Sequence, residues 1–251
     1  MMPAAWVAAL IGLADDHLIL GHRLSEWCGH APMLEEDLAM PNIALDLIGQ
    51  ARGLYTYAGD LEGAGRDEDA LAFGRLERAY RNLLICELPN GDFAHTMLRQ
   101  FYFASFMQLF WQETESSTDV TLAAIAAKAV KEAQYHRRHC AEWVIRLGDG
   151  TDESARRMAE AVTLLAPYTG EFFIADPEAG GAVEAGVLPD TKALQPAWQA
   201  DIEQVFAAAK LVLPENVYAQ KGGRSGLHTE AMGHLLAQLQ FMQRSFPDMT
   251  W

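Results

Sequence analysis

The feature that most restricts this chain is a helix-length stretch from about Asp92 to Glu115 that is apolar almost all the way round. Phe101, Tyr102, Phe103, Phe106, Met107, Leu109, Phe110 and Trp111 leave it hardly any face to turn toward water. A helix of that kind is stable only when other helices enclose it. The rest of the sequence has to supply them.

It does so with regular spacing. Trp6, Leu10, Leu13, His17, Leu20, Leu24 and Trp27 recur four and three residues apart, which predicts a bundle helix over about residues 3–28. Gly29 and Pro32 break it, and a second helix is expected over 35–57, so the pair reads as an antiparallel hairpin. Asp67 to Leu88 reads as a third helix, stopped by Pro89-Asn90-Gly91. The apolar helix, about 92–115, then turns through Ser116–Asp119 into a helix over 120–147. There Leu122, Ala126, Ala129, Ala133, His136, Cys140, Trp143 and Leu147 repeat the same seam.

Thr151 caps a sixth helix to about Tyr168, with acidic residues in its first turn. A loop rich in Gly, Ala and Pro is expected over 174–190, and helices over 191–211 and 226–246 form a C-terminal annex spanning about 191–246. No stretch alternates as a strand does. The expected fold is all-α: one ferritin-like domain over residues 1–251, built from two helical hairpins, a long crossover and additional C-terminal helices.

Composition narrows the function classes. Half the residues are apolar and 21% are charged, which argues against disorder. Nineteen Lys and Arg against 34 Asp and Glu give a net charge of −15, a poor match for nucleic acid or anionic membrane. This surplus acid reads as solvated surface. Cys28, Cys86 and Cys140 are far apart with no CxxC pair, against a disulfide framework or structural zinc and for a reducing cytoplasm. Residues 1–14 carry no charged side chain but lack a basic leader, and the uncharged run 100–112 is too short to span a bilayer.

A ferritin-like bundle commonly holds two irons. It needs a carboxylate from each of two helices and a Glu-x-x-His from each of the other two. Residues equidistant from a hairpin turn lie at equal height. With the first turn near Ala31, Asp15 or Asp16 faces Asp46, and the histidine expected three residues later is Gly49. With the second turn near Thr118, Glu132 faces Ala104. The fourth helix has no Asp or Glu between Asp92 and Glu113, and only Arg99, Gln100 and Ser105 are polar near that height. Three after Glu132 stands Tyr135, while His136 is rotated by about 100°. Both histidines and one carboxylate of the set are missing, so no metal, cofactor or catalytic residue is assigned; Asp15, Asp16, Asp46, Gly49, Glu132 and Tyr135 are vestigial positions.

Each has an ordinary reading. Asp15 and Asp16 read as solvated, and the face of Asp46, Gly49, Gln50 and Gly53 as close helix packing with a hydrogen-bond network. Glu132 and His136 are spaced to pair with each other, and His17 and His136 read as satisfied core histidines. His136 and His139 are spaced to share a metal, a weak signal. Lys221–Gly226 presents amides and two cations that suit a phosphate, but it matches no established phosphate loop and reads as a flexible connection.

Several separated segments carry a resemblance: Leu24-Ser-Glu-Trp-Cys-Gly-His-Ala-Pro32, Asn42-Ile-Ala-Leu-Asp-Leu-Ile-Gly-Gln-Ala-Arg52, Leu71-Ala-Phe73, Glu87-Leu-Pro-Asn-Gly-Asp-Phe93 and Lys131-Glu-Ala-Gln-Tyr-His-Arg137. Gly222-Gly, Gly226-Leu-His-Thr-Glu230 and Trp251 continue it. Together they resemble the structural, non-catalytic C-subunit family of the bacterial 1,2-phenylacetyl-CoA epoxidases. The resemblance implies a ferritin-like cytoplasmic subunit of a ring-epoxidising monooxygenase of aerobic phenylacetate degradation. It also implies a catalytic A subunit as partner, which carries the di-iron centre and the acyl-CoA substrate, and a reductase component. The isolated chain is expected as a monomer or a homodimer. A self-sufficient di-iron or manganese oxidase, using Asp15, Asp16, Asp46, Glu132 and His136, is the alternative. A ligand-binding bundle built on Lys221–Gly226 is a third.

Overall fold

The computed structural model describes residues 4–215, 217–247 and 249, with side chains from Trp6 onward. It contains helices α1 (Ala4–Ser25), α2 (Leu34–Glu62), α3 (Glu68–Phe73), α4 (Leu84–Glu87), α5 (Phe93–Thr114) and α6 (Val120–Gly148). Then follow α7 (Asp152–Thr169), α8 (Gly180–Glu184), α9 (Gln195–Ala208), α10 (Glu230–Leu239) and α11 (Phe241–Ser245). There is no strand among the described residues. Trp251, one of the residues of the resemblance, lies outside them.

Local chemistry sets several helix ends, at the expected places for α5, α6 and α7 and beyond the expected end at 57 for α2. Asp92 accepts from the His95 amide at 2.9 Å and Asp119 from the Leu122 amide at 2.8 Å, each occupying a donor that the first turn leaves without a partner. Thr151 and Ser154 form a reciprocal capping box at the start of α7. Gly63, at φ +66°, closes α2 by donating to the Gly59 carbonyl at 3.1 Å, a left-handed cap that favours glycine.

The chain divides into two compact units. The first takes the residues up to Pro89, Asp176–Ala179 and the chain from Gly222 onward; the second takes Asn90–Ala175 and Gly180–Lys221. The first is organised on the α1–α2 hairpin, with α4 against α1 and α10 against α4. Nearly every side chain of α1 from Trp6 to Leu24 is buried, polar ones included.

The second unit is organised on the α5–α6 hairpin, with α7 and α9 packed on α5. Its centre is aromatic. Phe106 stacks on Phe172 at 4.8 Å between centroids, Trp198 lies 5.6 Å from Tyr102, and the Trp198 indole donates to the Tyr102 carbonyl at 3.1 Å. Such offset and edge contacts suit the ring quadrupoles, and the indole N–H finds its acceptor.

Three expectations are corrected. Asp67–Leu88 is not one helix: α3 ends at Phe73, a 3-10 turn covers Glu77–Ala79, and Tyr80 and Leu83 are extended. The reason is long-range. Amides of Arg81 and Leu83 donate to Asp15 and Asp16 on α1, and a continuous helix would spend them internally. Within 174–190 there is a short helix, α8. The last helices begin at Glu230, because Gly223–Ser225 forms a 3-10 turn closed by Gly226 in the left-handed region.

Candidate functional site

Asp15 and Asp16 follow one another on α1, so their side chains leave the helix about 100° apart and reach different partners. Both are completely buried, which corrects the reading of them as solvated. A buried carboxylate persists only with donors around it. Asp15 has four. Arg75 grips it with both terminal nitrogens, Nη1 standing 3.0 Å from Oδ2, the Tyr55 hydroxyl donates to Oδ1, and the Arg81 amide donates to Oδ2 at 2.8 Å.

Arg75 is itself fully used. Its Nε donates to the Leu71 carbonyl at 2.6 Å, Nη1 to the Ala79 carbonyl at 2.7 Å, and Nη2 to the Tyr55 oxygen at 3.1 Å. Its cation lies over the Tyr80 ring, 4.1 Å from the centroid. Burial opposes the charge on Arg75, but the charge and hydrogen bonds of Asp15 together with Tyr55 and Tyr80 outweigh it. Burial and the same carboxylate push Tyr55 well above its usual range, so it stays a donor.

Asp16 accepts the Leu83 amide at 2.7 Å and two bonds from Arg224, at 3.0 and 2.6 Å. Complete burial pushes its carboxyl up to about 6, although Arg224 and the Leu83 amide pull the other way. Arg224 also donates to the carbonyls of Gly12 and Arg81. The loop that carries it is no flexible connection. Gly222 and Gly226 have positive φ, and a Cβ on Gly223 would stand 2.0 Å from the Asn82 carbonyl oxygen.

Another buried carboxylate, Glu87 on α4, extends the polar interior of this unit. It accepts from Asn82 Nδ2 at 2.9 Å, His228 Nδ1 at 2.7 Å and the Thr229 amide at 2.5 Å. His228 Nε2 faces the Tyr80 carbonyl at 3.0 Å, so both ring nitrogens meet acceptors and the imidazolium satisfies both. Burial alone would lower its pKa; the Glu87 bond and charge and the Tyr80 carbonyl raise it. The expectation of wholly solvated acid is therefore corrected, since Asp15, Asp16, Glu36, Glu87 and Glu171 are all buried.

The other positions weighed as metal ligands fall elsewhere. Asp46 on α2 is half-buried. Gly49 is exposed and Gly53 half-buried, both with nothing within 4 Å of an added Cβ among the described residues, so neither glycine is a point of close packing, while Gln50 of the same face is buried. On α6, Glu132 is half-buried with Lys128 Nζ 3.5 Å away. Tyr135 is 43% exposed, its ring stacked 6.0 Å from that of His139. His17 and His136 are buried, His17 with Nδ1 2.7 Å from the Leu13 carbonyl. On α5, Gln100 and Ser105 are buried, and neither Gln100 amide atom nor the Ser105 hydroxyl has a hydrogen-bond partner among the described residues.

The donor set does not fit a di-iron centre. Such a centre takes carboxylate oxygens open to metal and an imidazole cap for each ion. Here the oxygens of Asp15 and Asp16 already hold protein donors, and the cap positions are Gly49 and Tyr135. Among the described residues no group of three or more His, Cys, Asp and Glu is arranged to hold a metal ion. Sequence reasoning did not connect Arg75, Tyr55 and Arg224 with Asp15 and Asp16, or His228 with Glu87; the one signal available was two acids within an apolar helix.

An all-α chain with two long hairpins joined in this order is of the ferritin-like class. It belongs to the phenylacetic acid catabolic protein family, whose model matches residues 2–251. It is similar to the C subunit of the 1,2-phenylacetyl-CoA epoxidase of Escherichia coli (strain K12), with 45% identity over 244 residues, 97% of this chain and 98% of the relative. Among the described residues no helix is long and apolar enough to cross a membrane.

Proposed function

We propose that this chain is the non-catalytic structural subunit of a cytoplasmic 1,2-phenylacetyl-CoA epoxidase, pairing with and stabilising the di-iron catalytic subunit. The similarity to an epoxidase subunit of Escherichia coli supports membership of such a complex. The observation that carries the non-catalytic part is the pairing of Asp15 with Arg75 and of Asp16 with Arg224. A guanidinium supplies the positive charge that a metal would bring, but it has no open coordination position and no redox chemistry. Nothing in the geometry favours an independent oxidase.

The pairing surface we assign is the outer face of α2. Leu34, Leu38 and Leu45 are 70%, 59% and 65% exposed, and Ile48 continues the row at helical spacing. Four large aliphatic side chains on one helix face are a poor surface to leave in water, and obligate subunit interfaces bury about 2,000 Å² or more of such surface. The test is co-expression with the catalytic subunit and elemental analysis of each purified chain. The reading expects a heteromer with its iron in the other subunit; two irons in this chain would refute it.

A further inference from the structure

The Gly-rich loop and the extended segment after α3 build a site that the subunit role leaves unused. They dock backbone to backbone: a Cβ on Gly223 would meet the Asn82 oxygen at 2.0 Å and one on Gly226 the Arg78 oxygen at 2.3 Å. This close approach gathers Arg78, Arg81 and Arg224 around one solvent-open cavity of about 460 Å³, whose lining also includes Ser225 and the carboxylate of Glu178. On a chain of net charge −15, the lining gathers three guanidinium groups and one carboxylate, with Asp16 and Asp176 paired to Arg224 and Arg81 beside it.

The cations are not equally committed. Arg224 is held by Asp16, with Asp176 a further 3.9 Å from its Nε. Arg81 has only long contacts, to Asp176 at 3.4 Å and Glu178 at 3.5 Å, and its buried Nε has no hydrogen-bond partner among the described residues. Arg78 is exposed and forms no ion pair among them. The arrangement thus has donors in reserve, a fixed frame, and room for a group of phosphate size. Planar guanidinium forks suit phosphate oxygens, which accept two parallel bonds from each.

We propose that this cavity binds the phosphate group of a small anion, with Arg78 and Arg81 as the ligand-facing donors and Arg224 as a fixed positive wall. Glu178 is the competing carboxylate at the rim, so bound phosphate replaces it on Arg81. Two sources share this chemistry, free inorganic phosphates and the diphosphate of a nucleotide.

Calorimetric titration of the full chain with inorganic pyrophosphate and with ADP, at low salt, tests the site. Saturable binding of either is expected, weakening as salt rises. Pyrophosphate alone binding marks an inorganic source; ADP binding that pyrophosphate displaces marks a nucleotide. Arg78→Ala removes a side chain without structural bonds and should weaken binding roughly tenfold. Glu178→Gln should tighten it by a few fold, an effect that damage to the fold would not give. No binding at millimolar pyrophosphate and ADP, or affinities indifferent to both substitutions, would overturn the site.

Discussion

Asp15 and Arg75 lie 60 positions apart in sequence and bind each other through both carboxylate oxygens and both terminal guanidinium nitrogens. Both are buried, and Arg75 uses its remaining donors on the Leu71 and Ala79 carbonyls and the Tyr55 oxygen. The pair ties the segment after α3 to the middle of α1. Removing one partner leaves an uncompensated buried charge, at a cost of about 3–5 kcal/mol. Arg75→Met should lose that much in urea unfolding. Adding Asp15→Asn should recover a large part of it, because the stranded charge is then gone. A loss below about 1 kcal/mol for the single variant would contradict the pairing.

His228 gives a pH dependence of definite sign. Its folded pKa is raised above 6.5 because Glu87 and the Tyr80 carbonyl both take ring protons. A group raised on folding binds more protons in the folded state. Its stabilisation is therefore present in full below pH 6.5 and is lost as pH rises through the folded value. His228→Gln should remove this decline from the unfolding curve above pH 6.5. The ring resonances of His228 in the parent protein should titrate above 6.5; a midpoint below it would refute the account.

Asp16 occupies a lower window. Its carboxyl rises from the usual 3.8 to about 6 in the folded protein. The favourable contribution is complete below 3.8 and disappears as pH climbs through about 6. Carbon-detected titration of the side-chain carboxyl should show a midpoint near 6, and one near 3.8 would mean that Arg224 and the Leu83 amide cancel the effect of burial.

Two glycines separate close approach from open surface. Gly223→Ala forces a Cβ against the Asn82 carbonyl and should cost about 1–3 kcal/mol, displacing Arg224 from Asp16. Gly53→Ala, in the interior of α2 with no neighbour within 4 Å, should stabilise the chain by up to about 1 kcal/mol. Equal effects in thermal unfolding would refute the distinction.

Much of the fold was legible because its signals are local. The seam from Trp6 to Leu24, the apolar circumference of α5 and the caps at Asp92, Asp119 and Thr151 lie within a few residues of what they determine. The polar interior was not legible, because Asp15 and Asp16 find arginines 60 and 208 positions away. The same distance explains Asp67–Leu88. Its composition favours helix, yet amides at Arg81 and Leu83 answer carboxylates on α1. Gly49 and Gly53 misled for another reason: small residues mark close packing only when something lies against them, and among the described residues nothing stands within 4 Å of a Cβ added at either.

The central claim, a partner subunit that docks through α2, is tested most directly by size-exclusion chromatography with light scattering of the chain mixed with its catalytic subunit. The account predicts a stable heteromer, lost in a Leu38→Glu/Leu45→Glu variant whose own unfolding midpoint is nearly unchanged, since both side chains are exposed. Separate elution of the unmodified chain and the catalytic subunit would contradict it.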